Sequence, residues 1–276
     1  MFTESETSAG QIGASRRGRR RRMLAIQSAI DAESSPDNAE FTFQPDAHHE
    51  PSLESETLHE STVSAPPSFA NDGDRIRELL EDVQPRTWVF TGDDLGFEVQ
   101  QALRGWIEHF SDFIQQKLER KQDIILNSSF ADSKIEHLLN DVEWRILRFQ
   151  PDVVLLMPSS AECAARGDDE EFRDTLQQLT ERLHDEGCTV VLNTPPCPAN
   201  ASNSVTKTMK TAASRIRSVA DQSGAVLADH FSHWHATVQQ DGTNANLHEK
   251  SGQQPSARGH RELARRLLKS LNVRSS

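Results

Sequence analysis

Five short apolar runs, each separated from the next by a stretch of helical periodicity, constrain the fold of this chain more than any other feature. They span residues 86–91, 123–127, 153–157, 189–193 and 225–228 and are rich in β-branched, aromatic and aliphatic side chains. Such continuous apolar character marks a strand covered on both faces, since a strand with one wet face alternates polar and apolar residues. Between the runs, apolar residues recur at helical spacing: Val99, Leu103, Trp106, Ile107, Phe110, Phe113, Ile114 and Leu118 after the first, Phe172, Leu176, Leu179 and Leu183 after the third. Ser133 and Glu136 read as a capping box ahead of Leu138, Leu139, Val142 and Ile146. Val205, Met209, Ala213 and Ile216 predict the next helix, and Leu263, Leu267 and Leu271 a C-terminal one. Strands alternating with helices imply a parallel sheet with helices on both faces, a three-layer α/β/α domain of the flavodoxin-like kind with five strands.

Hydrophobic residues make up only 35% of the chain and charged residues 26%, so a core requires the apolar residues to be concentrated, and they are concentrated after residue 84. Residues 1–73 read as a disordered, charge-segregated tail. From Asp31 to Asp72 it carries ten acidic residues and no Lys or Arg, a composition that cannot bury enough surface to offset the entropy of ordering. A basic cluster, Arg16-Arg17-Gly18-Arg19-Arg20-Arg21-Arg22, precedes it and offers a weak contact for RNA or phospholipid, or else a solvated charge block pairing loosely with the acids that follow. Residues 74–83 form a short helix or linker on Ile76, Leu79, Leu80 and Val83, ended by Pro85, and residues 84–276 form the domain.

The formal charge of −12 argues against a general affinity for nucleic acid or acidic membranes. Cys163, Cys188 and Cys197 have neither zinc-ligand spacing nor an even-numbered framework and read as reduced thiols of a cytoplasmic protein. No run approaches a membrane span, and the stretch after the arginines is too short and too polar for a secretion signal. No cofactor is implied.

The first run ends in Gly92-Asp93-Asp94-Leu95, a glycine and two carboxylates at the end of a buried strand, where open α/β sheets place ligands. This block resembles the start of the SGNH, or GDSL, hydrolases, in which Gly-Asp-Ser follows the first strand and the serine is the nucleophile. Asp94 holds the serine's place. The resemblance extends over residues 86–271. After the second run the family's Asn-x-x-x-Ser-Gly, whose glycine N–H serves the oxyanion, is matched by Asn127 to Asp132, with Asp132 for the glycine. After the third, Gly-x-Asn-Asp is matched by Ser159-Ser160-Ala161-Glu162, with Ala161 for the oxyanion-binding asparagine. Near the C-terminus Pro255 and Gly259-His260 are kept, while Ser251 and Gln254 stand for the catalytic aspartate and histidine. Trp144 to Phe149, Asp229-His230-Phe231 and the proline-rich stretch Pro195-Pro196-Cys197 also look like members of this family.

The resemblance therefore implies an SGNH fold and, by descent, ester hydrolysis, while every position that would perform it is substituted. Serine attack needs an imidazole to take the proton and a carboxylate to orient the imidazole. Asp94 has no hydroxyl, Gln254 accepts no proton near neutral pH, Ser251 has no carboxylate and Ala161 no oxyanion donor, of which one alone is worth about 10²- to 10³-fold in rate. The expected role is non-catalytic binding of an unknown small molecule or protein in the degenerate cleft. Two alternatives stand beside it: an esterase acting on an acetylated sugar or lipid through rearranged residues, with His248 paired to Asp241 as the base and Asp94, Ser159 or Ser160 as the nucleophile, and an interaction protein working through its tail. The cleft is expected to gather Asp93, Asp94, Asp132, Ser159, Ser160 and Glu162. Asp94, Asp132 and Glu162 could hold a hard cation there, or their carboxylates could cap helix N-termini or face solvent. His230, His233 and His235 read as helix-surface histidines rather than a zinc site.

Overall fold

A computed structural model describes residues 71–92, 95, 104–167, 169–241, 246–249, 251–252 and 254–273, all within the unit Ser64–Ser276. Residues 1–70, and with them the tail, its basic cluster and its aromatic pair, lie outside the described residues, as do Asp93, Asp94, Val99 and Leu103.

The strands are β1 (Thr87–Gly92), β2 (Ile124–Asn127), β3 (Val153–Met157), β4 (Thr189–Asn193) and β5 (Val226–Ala228). All four neighbouring pairs are parallel and the sheet order is β2-β1-β3-β4-β5, the doubly wound order expected of the flavodoxin-like fold. Connections leave β1 in opposite directions, so the crevice between β1 and β3 at their carboxyl ends is the switch point where such sheets bind ligands.

The helices are α1 (Asp72–Glu81), α2 (Trp106–Asp112, continued by a π-helical turn Phe113–Lys117), α3 (Ile135–Asn140), α4 (Val142–Arg145), α5 (Ser160–Arg166), α6 (Glu170–Asp185), α7 (Asn203–Ser223), α8 (His230–Asp241) and α9 (Ala257–Ser270). Successive strand residues face opposite layers. Val89, Val154 and Leu192 pack under α3, α6 and α7, whereas Trp88, Phe90 and Leu155 pack under α1, α2 and α9. In the second layer Phe90 sits edge-on to Trp106 and Phe110, with ring centroids 5.1 and 5.2 Å apart, contacts worth about 0.5–1.5 kcal/mol each beyond their buried area.

Several boundaries differ from the sequence reading for identifiable reasons. α1 starts at Asp72 because the Asn71 side chain accepts from Asp74 N, while the Asp72 carboxylate accepts from Val190 N on β4. The capping box at Ser133 does not form: Lys134 is the N-cap of α3 and contributes no side-chain bond, and Ile135 N is satisfied from another helix, by Glu162. His230 is not a surface residue of α8 but is buried beneath it.

Candidate functional site

Gly92 sets the floor of the site. It ends β1 with φ +107°, opposite Met157 on β3, and a Cβ there would stand 2.0 Å from the Met157 carbonyl oxygen. Only glycine lets β1 reach the switch point in this register. Beside it Asn193 ends β4 fully buried, donating through Nδ2 to the Leu156 and Val191 carbonyls. Its Oδ1 lies 3.1 Å from Nε2 of His230, so one amide fixes the carboxyl ends of β3 and β4 and the start of α8. Burial drives the His230 pKa down to about 3, and the ring is neutral in the working range.

Above this floor opens a cleft of about 400 Å³, a size suited to a small ligand. Its lining comes from the segments that follow four strands: Leu95 after β1, Asp132 after β2, Ser159, Ser160 and Ala161 after β3, and Pro198, Asn200 and Ser202 after β4, with Gln254 closing the rim. The structure thus brings together Asp132, Ser159, Ser160, Ala161 and Gln254, residues far apart in the sequence. Asp132 has φ +55°, the left-handed conformation that glycine adopts at no cost and that aspartate tolerates, which accounts for the glycine expected there by resemblance. Ser159 caps α5, its Oγ accepting from Glu162 N at 3.0 Å.

Other expected residues are placed elsewhere. The Glu162 carboxylate does not line the cleft. It is buried and turned to the start of α3, where Ile135 N donates to it at 3.1 Å. Burial raises its pKa and the Ile135 bond works against that rise. Ser251 is exposed beyond the rim, with its carbonyl accepting from Asn200 Nδ2. His248 is bridged to Pro255 and packed edge-on against Trp234, and its Nε2 lies 3.0 Å from Trp234 Nε1 and 2.9 Å from the Cys197 carbonyl oxygen. That nitrogen can serve one neighbour at a time, accepting from the indole N–H as a lone pair or donating to the carbonyl as N–H. Burial lowers the His248 pKa, against the Cys197 carbonyl. Its proposed partner Asp241 ends α8, and its side chain lies outside the described residues.

Asp93 and Asp94 fall outside the described residues as well, and among the described residues no cluster of three metal-binding side chains exists. His233 bonds Glu262 on α9, and His235 stacks on Phe231.

Gly259 performs the same service for the wall that Gly92 performs for the floor. A Cβ there would lie 2.2 Å from the Leu247 carbonyl oxygen, so α9 meets the rim segment at backbone contact. His260, next to it, is buried, and burial takes its pKa down to about 4. The sequence reading missed Asn193 as the brace and Asn200 and Ser202 as lining. Their one signal was position: Asn193 ends an apolar run, and the other two follow its prolines.

The sequence matches the GDSL-like lipase/acylhydrolase family over residues 90–262, more than half of its 276 residues. The chain belongs to this family. Among solved structures, the GDSL-like chain is similar to Axe2, an acetylxylan esterase from Geobacillus stearothermophilus, at 18% identity and TM-score 0.60 for one catalytic mutant, covering 68% of this chain and 95% of that one. It is also similar to LAE5, an α/β hydrolase from the metagenome of Lake Arreo, Spain, at 18% identity and TM-score 0.58, covering 69% and 97%. At that identity the two establish the shared fold. No curated protein matches the sequence significantly. No described helix is long and apolar enough to cross a membrane.

Proposed function

We propose that this GDSL-like domain binds a small polar ligand in the cleft at the carboxyl ends of its strands and does not hydrolyse esters by the serine mechanism. The observation that carries this reading is the absence of any imidazole among the described lining residues, with Gln254 at the rim. Three other imidazoles do not line the cleft: His230 is bonded to Asn193, His248 is set between Trp234 and the Cys197 carbonyl, and His260 is buried on α9. Burial lowers the pKa of all three, to about 3 at His230 and about 4 at His260. Ala161 offers no side-chain donor to an oxyanion, and Asp132 brings a negative charge toward the place where one would develop.

The hydroxyls of Ser159, Ser160 and Ser202 and the amides of Asn200 and Gln254, set among Ala161, Ala164, Pro198 and Val205, suit a ligand with several hydroxyl groups and a small apolar substituent. Axe2 is named for acetylxylan, which makes acetylated xylo-oligosaccharides the first compounds to offer. The deciding experiment measures hydrolysis of a short-chain p-nitrophenyl ester by the full chain, beside a variant carrying Asp94→Ser, Asp132→Gly, Ala161→Asn, Ser251→Asp and Gln254→His. The expected outcome is no turnover by the unmodified protein. Turnover that Asp94→Ala abolishes would refute the reading and make Asp94 a nucleophile.

A further inference from the structure

A second concavity, of about 460 Å³, opens on the α2 and α9 layer between the π turn and α9. Its apolar surface comes from Phe113, Ala264, Leu268 and Val273, and its border from His109, Arg261, Arg265 and Lys269. The last three are spaced by four residues, so they form one stripe about 12 Å long on α9. Ala264 and Leu268 lie one position before Arg265 and Lys269, which sets the apolar row beside the cationic one.

The charge is out of keeping with the rest of the chain. α9 holds Arg258, Arg261, Arg265, Arg266 and Lys269 against the single acid Glu262, in a protein of net charge −12. Glu262 is shared between Arg265 and His233, and neither Arg261 nor Lys269 forms an ion pair among the described residues. Burial, then Arg104 and Arg261, lower the His109 pKa. α2 carries two acids, Glu108 and Asp112, and Asp112 is paired with Arg104. Opposite α9 the groove is lined by His109 on α2 and by Phe113, the first residue of the π turn, and single π turns are rare in helices and recur at functional sites.

We propose that this groove is a binding site for a long-chain carboxylate, with the head group on the guanidinium fork of Arg261, since Glu262 already occupies that of Arg265, and the alkyl chain running over Leu268, Phe113 and Val273. Guanidinium forks match a carboxylate's two oxygens, and the methylenes of Lys269 can lie along the chain while its ammonium stays in water. A ligand with one anionic end and a continuous apolar body satisfies both rows, whereas a simple anion would leave the apolar floor wet.

The test is titration of the full chain with monomeric laurate, followed by calorimetry and tryptophan fluorescence. Decanoate, shorter by two methylenes, is expected to bind about tenfold more weakly. The double variant Arg261→Glu/Lys269→Glu, which leaves the Glu262 pair intact, is expected to lose at least tenfold while keeping the parental thermal transition, and the milder Arg261→Gln to lose part of that. Dodecanol, without the charge, is expected to bind far less than laurate. Unchanged affinity in the double variant, equal binding of dodecanol, or binding to anionic vesicles without any to monomeric laurate would each overturn the proposal. A cleft-filling Ala161→Trp variant separates the two sites: retained laurate binding supports the groove, and loss of it assigns the acid to the cleft instead.

Discussion

Gly92 and Gly259 bring backbone to backbone at the floor and wall of the cleft, while Asp132, Ala161, Ser251 and Gln254 stand around it at positions where the GDSL-like resemblance expects glycine, asparagine, aspartate and histidine. The first pair keeps the family's residues and the second group does not. The physical difference is one of freedom. A side chain at either glycine meets a carbonyl oxygen that cannot move without breaking the sheet or lifting α9. Ala161, Asp132 and Ser251 are exposed, and their side chains can change with little effect on packing. Selection for folding alone therefore preserves the two close backbone approaches, whatever side chains stand at the exposed positions.

The largest expected effect tests that difference directly. Gly92→Ala places a Cβ 2.0 Å from the Met157 oxygen at φ +107°, and the variant should lose about 3 kcal/mol or more, or fail to fold. For a domain of this size the corresponding fall in melting temperature is roughly 10 °C. Ala161→Asn and Ser251→Asp should each stay within about 0.5 kcal/mol of the parent by the same measurement. Equal losses at all three positions would erase the distinction between the close-packed glycines and the exposed substituted positions.

A smaller effect concerns the brace beneath the cleft. His230 has a folded pKa of about 3 against an ordinary value of 6.5, so the unfolded chain takes up the proton first as the pH falls. The stability contributed by the neutral ring is complete above pH 6.5 and is lost progressively toward pH 3. Each pH unit crossed between those two values removes at most about 1.4 kcal/mol, so the whole loss is a few kcal/mol. Denaturant unfolding across that window should show a steep acid slope that His230→Gln makes shallower. An unchanged slope would mean that the imidazole is not what couples β4 to α8.

The sheet was legible in the sequence because its central strands are covered on both faces: with Trp88, Val89, Phe90, Val153 to Met157 and Val190 to Leu192 all buried, β1, β3 and β4 each read as an unbroken apolar run. The cleft was legible as a location, since the ends of those runs are where lining residues must come from. Side-chain direction was not. Whether Glu162 enters the cleft or turns under it depends on where α3 begins relative to α5, a tertiary relation with no local pattern. The same gap explains the capping box: Ser133 and Glu136 have the right spacing, but a carboxylate from another helix reaches Ile135 N instead. His248 likewise looks available in the sequence, yet in the fold Trp234 and the Cys197 carbonyl flank it.

Glu162 offers the finest comparison, because two substitutions separate its charge from its oxygen. Burial raises its pKa in the folded protein above the ordinary 4.5, so the folded state holds the proton more tightly than the unfolded chain. The stabilisation from that tighter hold is complete below pH 4.5 and is lost as the pH rises through the raised value. Glu162→Gln cannot ionise and still presents an oxygen to Ile135 N, so its stability at neutral pH should equal or slightly exceed the parent's, without the decline above pH 4.5. Glu162→Ala removes the acceptor, leaves a buried N–H at the first turn of α3 unpaired, and should cost about 1–3 kcal/mol. If Gln proved as damaging as Ala in urea unfolding, the negative charge at the α3 N-terminus, and not the hydrogen bond, would be what ties this wall of the cleft to α5.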